Sequence, residues 1–261
     1  MRRNIIIVNN FYKNPEEVVK YALSLKFYNP WANNNKGSSK PEDMTNPVLR
    51  VSFFKKAQDC PFKSSKEFIS KLEKITGEEI DMEHWNKDFP ENPEDGSVLT
   101  LRPDLIDPSE ISTSGQYKMP AFNNLKPGAT SCRWNCAFQV KHLQHESGTF
   151  VHDHDQDLWN SIGQKGWTGI VYLNPDAPLG AGLTTYRSAD GGAYKHSAPK
   201  EYWDVIDNFA NVYNRLLLIR GTVPHVGGSG WGDSLRNGRL YQTFFFKSIK
   251  PEDTEEFSFR L

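Results

Sequence analysis

From Ser131 onward the apolar residues come in short bursts, and that rhythm limits the possible folds more than any other feature of the chain. Segments 137–140, 149–152, 169–173, 216–219 and 240–246 are short, rich in β-branched or aromatic residues, and bounded by turn-forming residues. Such segments read as strands. The scattered Gly (19) and Pro (16) residues supply the punctuation that short strands need. One helix is expected among them, opening at Pro199 and carrying Tyr202, Trp203, Val205, Ile206, Phe209 and Val212 at roughly helical spacing. Many short strands with few helices predict a mostly β fold, a jelly roll or double-stranded β-helix, with helices flanking it.

Before this region the texture differs. Ile5–Val8 reads as a buried strand, too short an apolar run for a signal peptide. Asn14-Pro15-Glu16-Glu17 opens a helix in which Asn14 caps, Pro15 fits the first turn and Glu17 completes a capping box. A second helix starts at Ser64-Ser65-Lys66-Glu67, turns Phe68, Ile69, Leu72 and Ile75 inward, and stops at Gly77. Residues 31–47 read as a loop. The polar stretch from Gly77 to Gly128 shows no clean period and reads as a variable insert. The expected organisation is one structural domain: residues 1–130 supply helices and the insert, and residues 131–261 form the jelly-roll core.

Net charge is −1 over 261 residues, which argues against a phosphate-seeking surface and hence against nucleic acid as a partner. No apolar run approaches the ~20 residues of a membrane helix, so a soluble, cytoplasmic protein is the expectation. Cys60, Cys132 and Cys136 cannot all pair within one chain, and they read as buried free thiols.

The chemistry concentrates at Val151-His152-Asp153-His154-Asp155-Gln156-Asp157. Strand side chains alternate, so His152 and His154 share one face while Asp153 and Asp155 take the other. A third ligand must come from elsewhere, and His225, after the apolar run 216–219, is the candidate. Downstream, Arg239 leads the otherwise apolar run Leu240-Tyr241-Gln242-Thr243-Phe244-Phe245-Phe246. A buried cation needs an anionic partner, and a guanidinium binds a carboxylate in forked geometry. In a soluble protein a His-Asp-His-Asp cluster alone is more often a solvated loop; His225 and Arg239 are what favour a metal site. His142 and His145 read as surface or supporting residues. Gln139 and Tyr172 face the same cavity on this reading, each either touching a co-substrate or packing as structure. The run 227–232 lacks the Lys-Ser/Thr of a nucleotide loop and reads as a flexible loop beside the metal. Asp153, Asp155 and Asp157 lack the Gly and distal Glu of a calcium loop.

The order of these pieces resembles the iron(II)- and 2-oxoglutarate-dependent oxygenases, particularly their small bacterial and phage members. The matching pieces are Val151-His152, Tyr172-Leu173-Asn174-Pro175-Asp176-Ala177-Pro178, Gly182-Leu183-Thr184-Thr185-Tyr186-Arg187, Asn214-Arg215-Leu216, His225 and the run opening at Arg239. The resemblance covers about residues 130–250. It implies iron(II), 2-oxoglutarate and O2 as cofactors and co-substrates, with Arg239 pairing the far carboxylate of the 2-oxo acid. The implied reaction is hydroxylation of an unactivated C–H bond in a small molecule, amino acid or peptide, with Trp231 and Tyr186 as candidate substrate contacts. Oligomeric state is not legible.

One position departs from the family pattern: His154 stands where the family has a carboxylate. Either the site is His152, His154 and His225, or a one-residue bulge brings Asp155 into the carboxylate place, or position 154 does not ligate, as in the halogenating branch. Alternation favours His154; the low net charge of a two-histidine, one-carboxylate iron site favours Asp155; and an imidazole would crowd a halide site. A metal-binding cupin without oxygenase activity, or a binding domain with a decayed site, are the rivals.

Overall fold

The computed structural model describes residues 4–25, 50–52, 57–86, 135–141, 151–154, 162, 166–191, 200–232 and 236–249. The 31–47 loop, His142, His145, Cys132, Asp155, Asp157 and most of the 77–130 stretch lie outside the described residues. Among the described residues ten strands run β1 (Ile5–Val8), β2 (Arg50–Ser52), β3 (Glu79–Ile80), β4 (Phe138–Lys141), β5 (Gly166–Tyr172), β6 (Leu183–Ser188), β7 (Trp203–Phe209), β8 (Leu216–Arg220), β9 (His225–Gly227) and β10 (Arg239–Ile249). Among the described residues four α-helices precede β4: α1 (Pro15–Ser24), α2 (Pro61–Ser64), α3 (Lys66–Thr76) and α4 (Met82–Trp85).

The strands form two antiparallel sheets. The larger has the order β1-β8-β5-β10-β4-β2, with β3 paired to the far end of β10; the smaller has the order β7-β6-β9. Alternation sorts the larger sheet into two apolar faces. Phe138, Val140, Trp167, Val171, Leu216, Leu218, Leu240, Phe244 and Phe246 pack outward against Phe68 and Leu72 of α3, Ala22 of α1 and Trp85 of α4. Ala137, Ile170, Tyr172, Leu217, Ile219, Tyr241 and Phe245 face inward and meet Leu183 of the smaller sheet. Because both faces are covered, the strands are apolar almost continuously rather than alternately, which is why they stand out so plainly in the sequence. Two facing antiparallel sheets with helices outside the larger make the jelly-roll arrangement expected from the rhythm of the chain. The N-terminal segment adds strands as well as helices: β1 lies against β8 at the sheet edge, where Ile7 is exposed, so this strand is half-buried rather than buried.

Helix ends follow local chemistry in one case and depart from it in another. Ser65 accepts a hydrogen bond from the Phe68 N–H at 3.1 Å, and Gly77 ends α3 in the left-handed region at φ 72°. At α1, Pro15 takes the first turn as expected. The Asn14 side chain makes no capping bond, because its backbone (φ −126°, ψ 75°) departs from the extended conformation that aims an N-cap oxygen inward.

The helix expected from Pro199 is not formed. Residues 203–209 are β7, paired along β6 with one register shift between Thr185 and Tyr186. The apolar spacing was compatible with a helical stripe, yet Val205 (55% exposed) and Ile206 (51%) bury no stripe at all. Pairing with a neighbouring strand satisfied the backbone of this β-branched segment and overrode the apparent period. Among the described residues no helix is long and apolar enough to cross a membrane.

Candidate metal centre

His152 and His225 lie on separate segments that meet through a reciprocal pair of backbone bonds. The His152 N–H donates to the His225 carbonyl at 3.2 Å, and the His225 N–H donates to the His152 carbonyl at 2.8 Å. In an antiparallel pair, residues so joined project to the same side. The chain then bends, with the His154 N–H donating to the Gly221 carbonyl at 2.6 Å, and its ring returns to the same side. Ring centroids are 4.5 Å apart for His152–His225, 5.0 Å for His154–His225 and 5.2 Å for His152–His154. One nitrogen from each ring lies within 4.8 Å of the other two, an arrangement that can hold a metal ion.

Two features prepare these imidazoles as ligands. The His225 Nδ1–H donates to the Val223 carbonyl at 2.9 Å; a carbonyl only accepts, so the proton is on Nδ1 and Nε2 keeps its lone pair. Burial first, and the neighbouring His154 second, push the His225 imidazolium down to about 3 despite the Val223 contact, so the ring is neutral at physiological pH. The Phe245 ring stands edge-on to His154 at 5.1 Å and closes the apolar side.

Arg239 is 1% exposed and belongs to the same interior. Its Nη1 donates to the Gly228 carbonyl at 3.1 Å and its Nη2 to the Gly182 carbonyl at 3.0 Å. The guanidinium lies 4.8 Å from the Tyr241 ring centroid and 5.8 Å from that of Tyr172. Its Nε finds no acceptor among the described residues. Nη1 is also 3.9 Å from where a Cβ on Gly227 would stand. Gly227 is two residues beyond His225 and therefore on the same face of β9, about 7 Å along it. The cation and the imidazoles thus look into one space.

Glycine makes this approach possible. A Cβ on Gly182 would fall 1.6 Å from the Phe209 carbonyl oxygen, and one on Gly228 would fall 2.5 Å from the Ala181 backbone. Only bare backbone lets the Gly228 N–H reach the Gly182 carbonyl at 2.6 Å and present both carbonyls to Arg239.

The other residues singled out from sequence fall as follows. Gln139 faces inward, but its amide is engaged by protein: the Tyr241 hydroxyl donates to its oxygen at 3.0 Å and its nitrogen donates to the Thr243 hydroxyl at 2.9 Å. Tyr172 is buried beneath Arg239, and burial raises its phenol to about 12. Trp231 is half-buried in the loop after β9. Tyr186 is half-buried on β6, and alternation directs it to the face opposite Thr185. Asp155 lies outside the described residues. Sequence reasoning missed Thr185, whose buried hydroxyl finds no partner among the described residues and which pairs with His225 across β6 and β9. It also missed Lys141, whose signal was available: it stands two residues after Gln139, on the same strand face.

No protein-family model and no curated protein matches the chain. Among solved structures the chain is similar to a prolyl hydroxylase in complex with a hypoxia inducible factor oxygen degradation domain peptide fragment from Trichoplax adhaerens, at 14% identity and TM-score 0.39 over 94% of this chain and 83% of that one. It is also similar to a Pseudomonas putida prolyl-4-hydroxylase, at 13% identity and TM-score 0.39 over 94% and 93% of the two chains. Likeness of this degree leaves the chemistry of the site to be argued from its own residues.

Proposed function

We propose that this protein is an iron(II)- and 2-oxoglutarate-dependent dioxygenase that hydroxylates an unactivated C–H bond of a small molecule, amino acid or peptide. The observation that carries the reading is the convergence of His152, His154 and His225 in one space with the Arg239 guanidinium of β10, which lies beside Gly227, two residues along β9 from His225. The donor set fits the metal: neutral imidazoles suit divalent iron, as they suit zinc, copper and nickel. Three neutral ligands leave the full dipositive charge on the ion, and a dianionic 2-oxo acid balances it. When bound together, iron(II), 2-oxoglutarate and O2 supply the oxidising power that replaces C–H by C–OH as the 2-oxo acid loses carbon dioxide.

The chain's own groups do the rest. Arg239, held rigid by two carbonyls and two aromatic rings, meets the far carboxylate through N–H donors that those carbonyls leave unused and sets the depth of the co-substrate. The Thr185 hydroxyl, beside His225, offers a further hydrogen bond. Phe245, Tyr172 and Tyr241 exclude water and strengthen every charge interaction within the space.

The test is an anaerobic titration of iron(II) and 2-oxoglutarate into the protein. A visible charge-transfer band is expected in the wild type and should vanish in His225→Ala; no band in the wild type overturns the reading. A second reading draws on the same donor set, because an all-imidazole centre also suits a metal-binding cupin without oxygenase activity. Arg239→Ala separates the two. It sharply raises the 2-oxoglutarate requirement of an oxygenase and leaves a cupin's metal and ligand binding unchanged.

A further inference from the structure

Cys60 and Cys136 are free thiols, and both are fully buried. One stands just before α2 and the other shortly before β4, yet both belong to the cluster between the larger sheet and the helices. Their surroundings meet on several sides. The rings two residues beyond each, Phe62 and Phe138, lie 5.7 Å apart, and Tyr21 packs edge-on against both. Tyr12 packs against Phe62, and its hydroxyl donates to Gln242, whose amide nitrogen donates to the Cys136 carbonyl at 3.1 Å. The two side chains themselves touch: the Cys136 thiol donates a hydrogen bond to the Cys60 sulfur.

The backbone that carries Cys136 is strained. Its φ is 64°, in the left-handed region that side chains rarely adopt. Among the described residues the other non-glycine cases are Asn10 and Asn214, of the type that tolerates this shape. The Cys136 N–H is tied to the Thr243 carbonyl at 2.8 Å, so β10 holds the strained turn in place.

The thiols are also unequal. The hydrogen bond from Cys136, helped by the Lys63 ammonium, holds the Cys60 thiol below its ordinary range although burial opposes this. Burial pushes the Cys136 thiol up. A thiol buried among apolar groups alone is inert. One with thiolate character, beside a buried ammonium and against a second thiol, has the setting of an attacking cysteine with its resolving partner.

We propose that Cys60 and Cys136 are a redox pair that hydrogen peroxide closes to a disulfide, fastening α2 to the start of β4. The Cys60 sulfur attacks one peroxide oxygen, the O–O bond breaks, and the departing oxygen leaves as water. The Cys136 sulfur then displaces the other oxygen from the Cys60 sulfenic acid as a second water, and the S–S bond forms. Two thiols lose two electrons and two protons, and the peroxide takes up both. Peroxide is little larger than water, and α2 is a single turn of the kind that opens without global unfolding. The bond closes a loop spanning residues 61–135, so it strongly restricts the unfolded chain. The pair stands apart from the metal chemistry proposed above.

The test uses the full chain, reduced, freed of reductant and treated with hydrogen peroxide. It is then blocked with N-ethylmaleimide in denaturant and digested without reduction for mass spectrometry. A Cys60–Cys136 linked peptide is expected, together with a Tm rise of about 5 °C or more, and dithiothreitol should reverse both. Cys132→Ser, which removes the third cysteine, should behave as the wild type. Cys60→Ala should abolish the linked peptide and the Tm rise; if it fails to fold, Cys60→Ser carries the same comparison. Two thiols that remain fully blocked, a sulfinic or sulfonic acid at Cys60 without a cross-link, or a linkage through Cys132 overturns the pair. A linked protein whose Tm does not rise overturns the fastening.

Discussion

His225, a proposed metal ligand, shows how its surroundings condition one side chain. The β9 ladder sets its backbone, the Val223 carbonyl sets its tautomer, and burial keeps it neutral. Removing the ring should cost far more metal affinity than the 10–100-fold typical of losing a supporting group. His225→Ala is therefore expected to lower affinity by more than about 100-fold, read by competition with a chromophoric chelator. Gly182 is the complementary case, a residue whose value is that it has no side chain. Gly182→Ala forces a methyl onto the Phe209 carbonyl. It is expected to cost about 2–3 kcal/mol in urea unfolding, the upper part of the usual overpacking range, and to weaken 2-oxoglutarate binding by loosening the Arg239 seat. Neither role could be read from composition. His225 was legible from its place after the apolar run 216–219, whereas Gly182 entered only as the first residue of a piece that carries the resemblance, with no hint of the close approach it permits.

Between elements, Glu78, just past the end of α3, joins several strands at once. Its carboxylate accepts from Arg220 Nη1 at 2.9 Å and from Nη2, from Trp167 Nε1 at 3.0 Å and from Ser248 Oγ at 2.5 Å. It thereby ties the helical layer to β8, β5 and β10. The Arg220 guanidinium also stacks 3.7 Å from the Trp167 ring centroid. Burial opposes ionisation of Glu78, but the four donated bonds and the Arg220 charge outweigh it and bring the carboxyl to about 2. A depressed folded value means that the stabilisation is complete above the unfolded carboxyl range, near 4.3, and is lost as pH falls from there toward 2. Denaturant midpoints should decline across that window in the wild type. In Glu78→Gln the decline should flatten, on a protein already about 3 kcal/mol less stable at pH 7, because Arg220 is left buried and unpaired. The same scale explains why β7 was misjudged from sequence. β7 shows an apolar spacing compatible with a helix, and only its partner β6, supplied by tertiary structure, decided between the two periods.

For the whole molecule, the larger sheet divides two tasks between its faces. Phe244 and Phe246 on β10 pack toward the helices, while Phe245 between them turns to His154. Consecutive phenylalanines therefore predict opposite phenotypes. Phe244→Ala is expected to cost about 3–5 kcal/mol of stability with metal affinity unchanged. Phe245→Ala is expected to lower metal affinity severalfold with a smaller stability loss. Calorimetric unfolding and chelator competition on the same pair of variants check both. Several pieces of the sequence that carry the family resemblance turn out to hold the architecture together. Asn174 bridges the Gly238 carbonyl and the Leu240 N–H; Asn214, at φ 57°, clasps the backbone of Phe11 and Tyr12; and Gln242 receives the Tyr12 hydroxyl.

The apolar central strands of the larger sheet and the jelly-roll class follow from the sequence by itself, whereas the His154 ring reaches the side of His152 through a bend tied to the Gly221 carbonyl. Doubly covered strands leave continuous apolar runs, which are a local property of the chain. What only the tertiary structure decided are the pairings: His225 opposite His152, Lys141 opposite Arg239, and β7 beside β6. Each joins segments far apart in the chain, and local preference carries no information about which distant backbone will satisfy a given row of hydrogen-bonding groups.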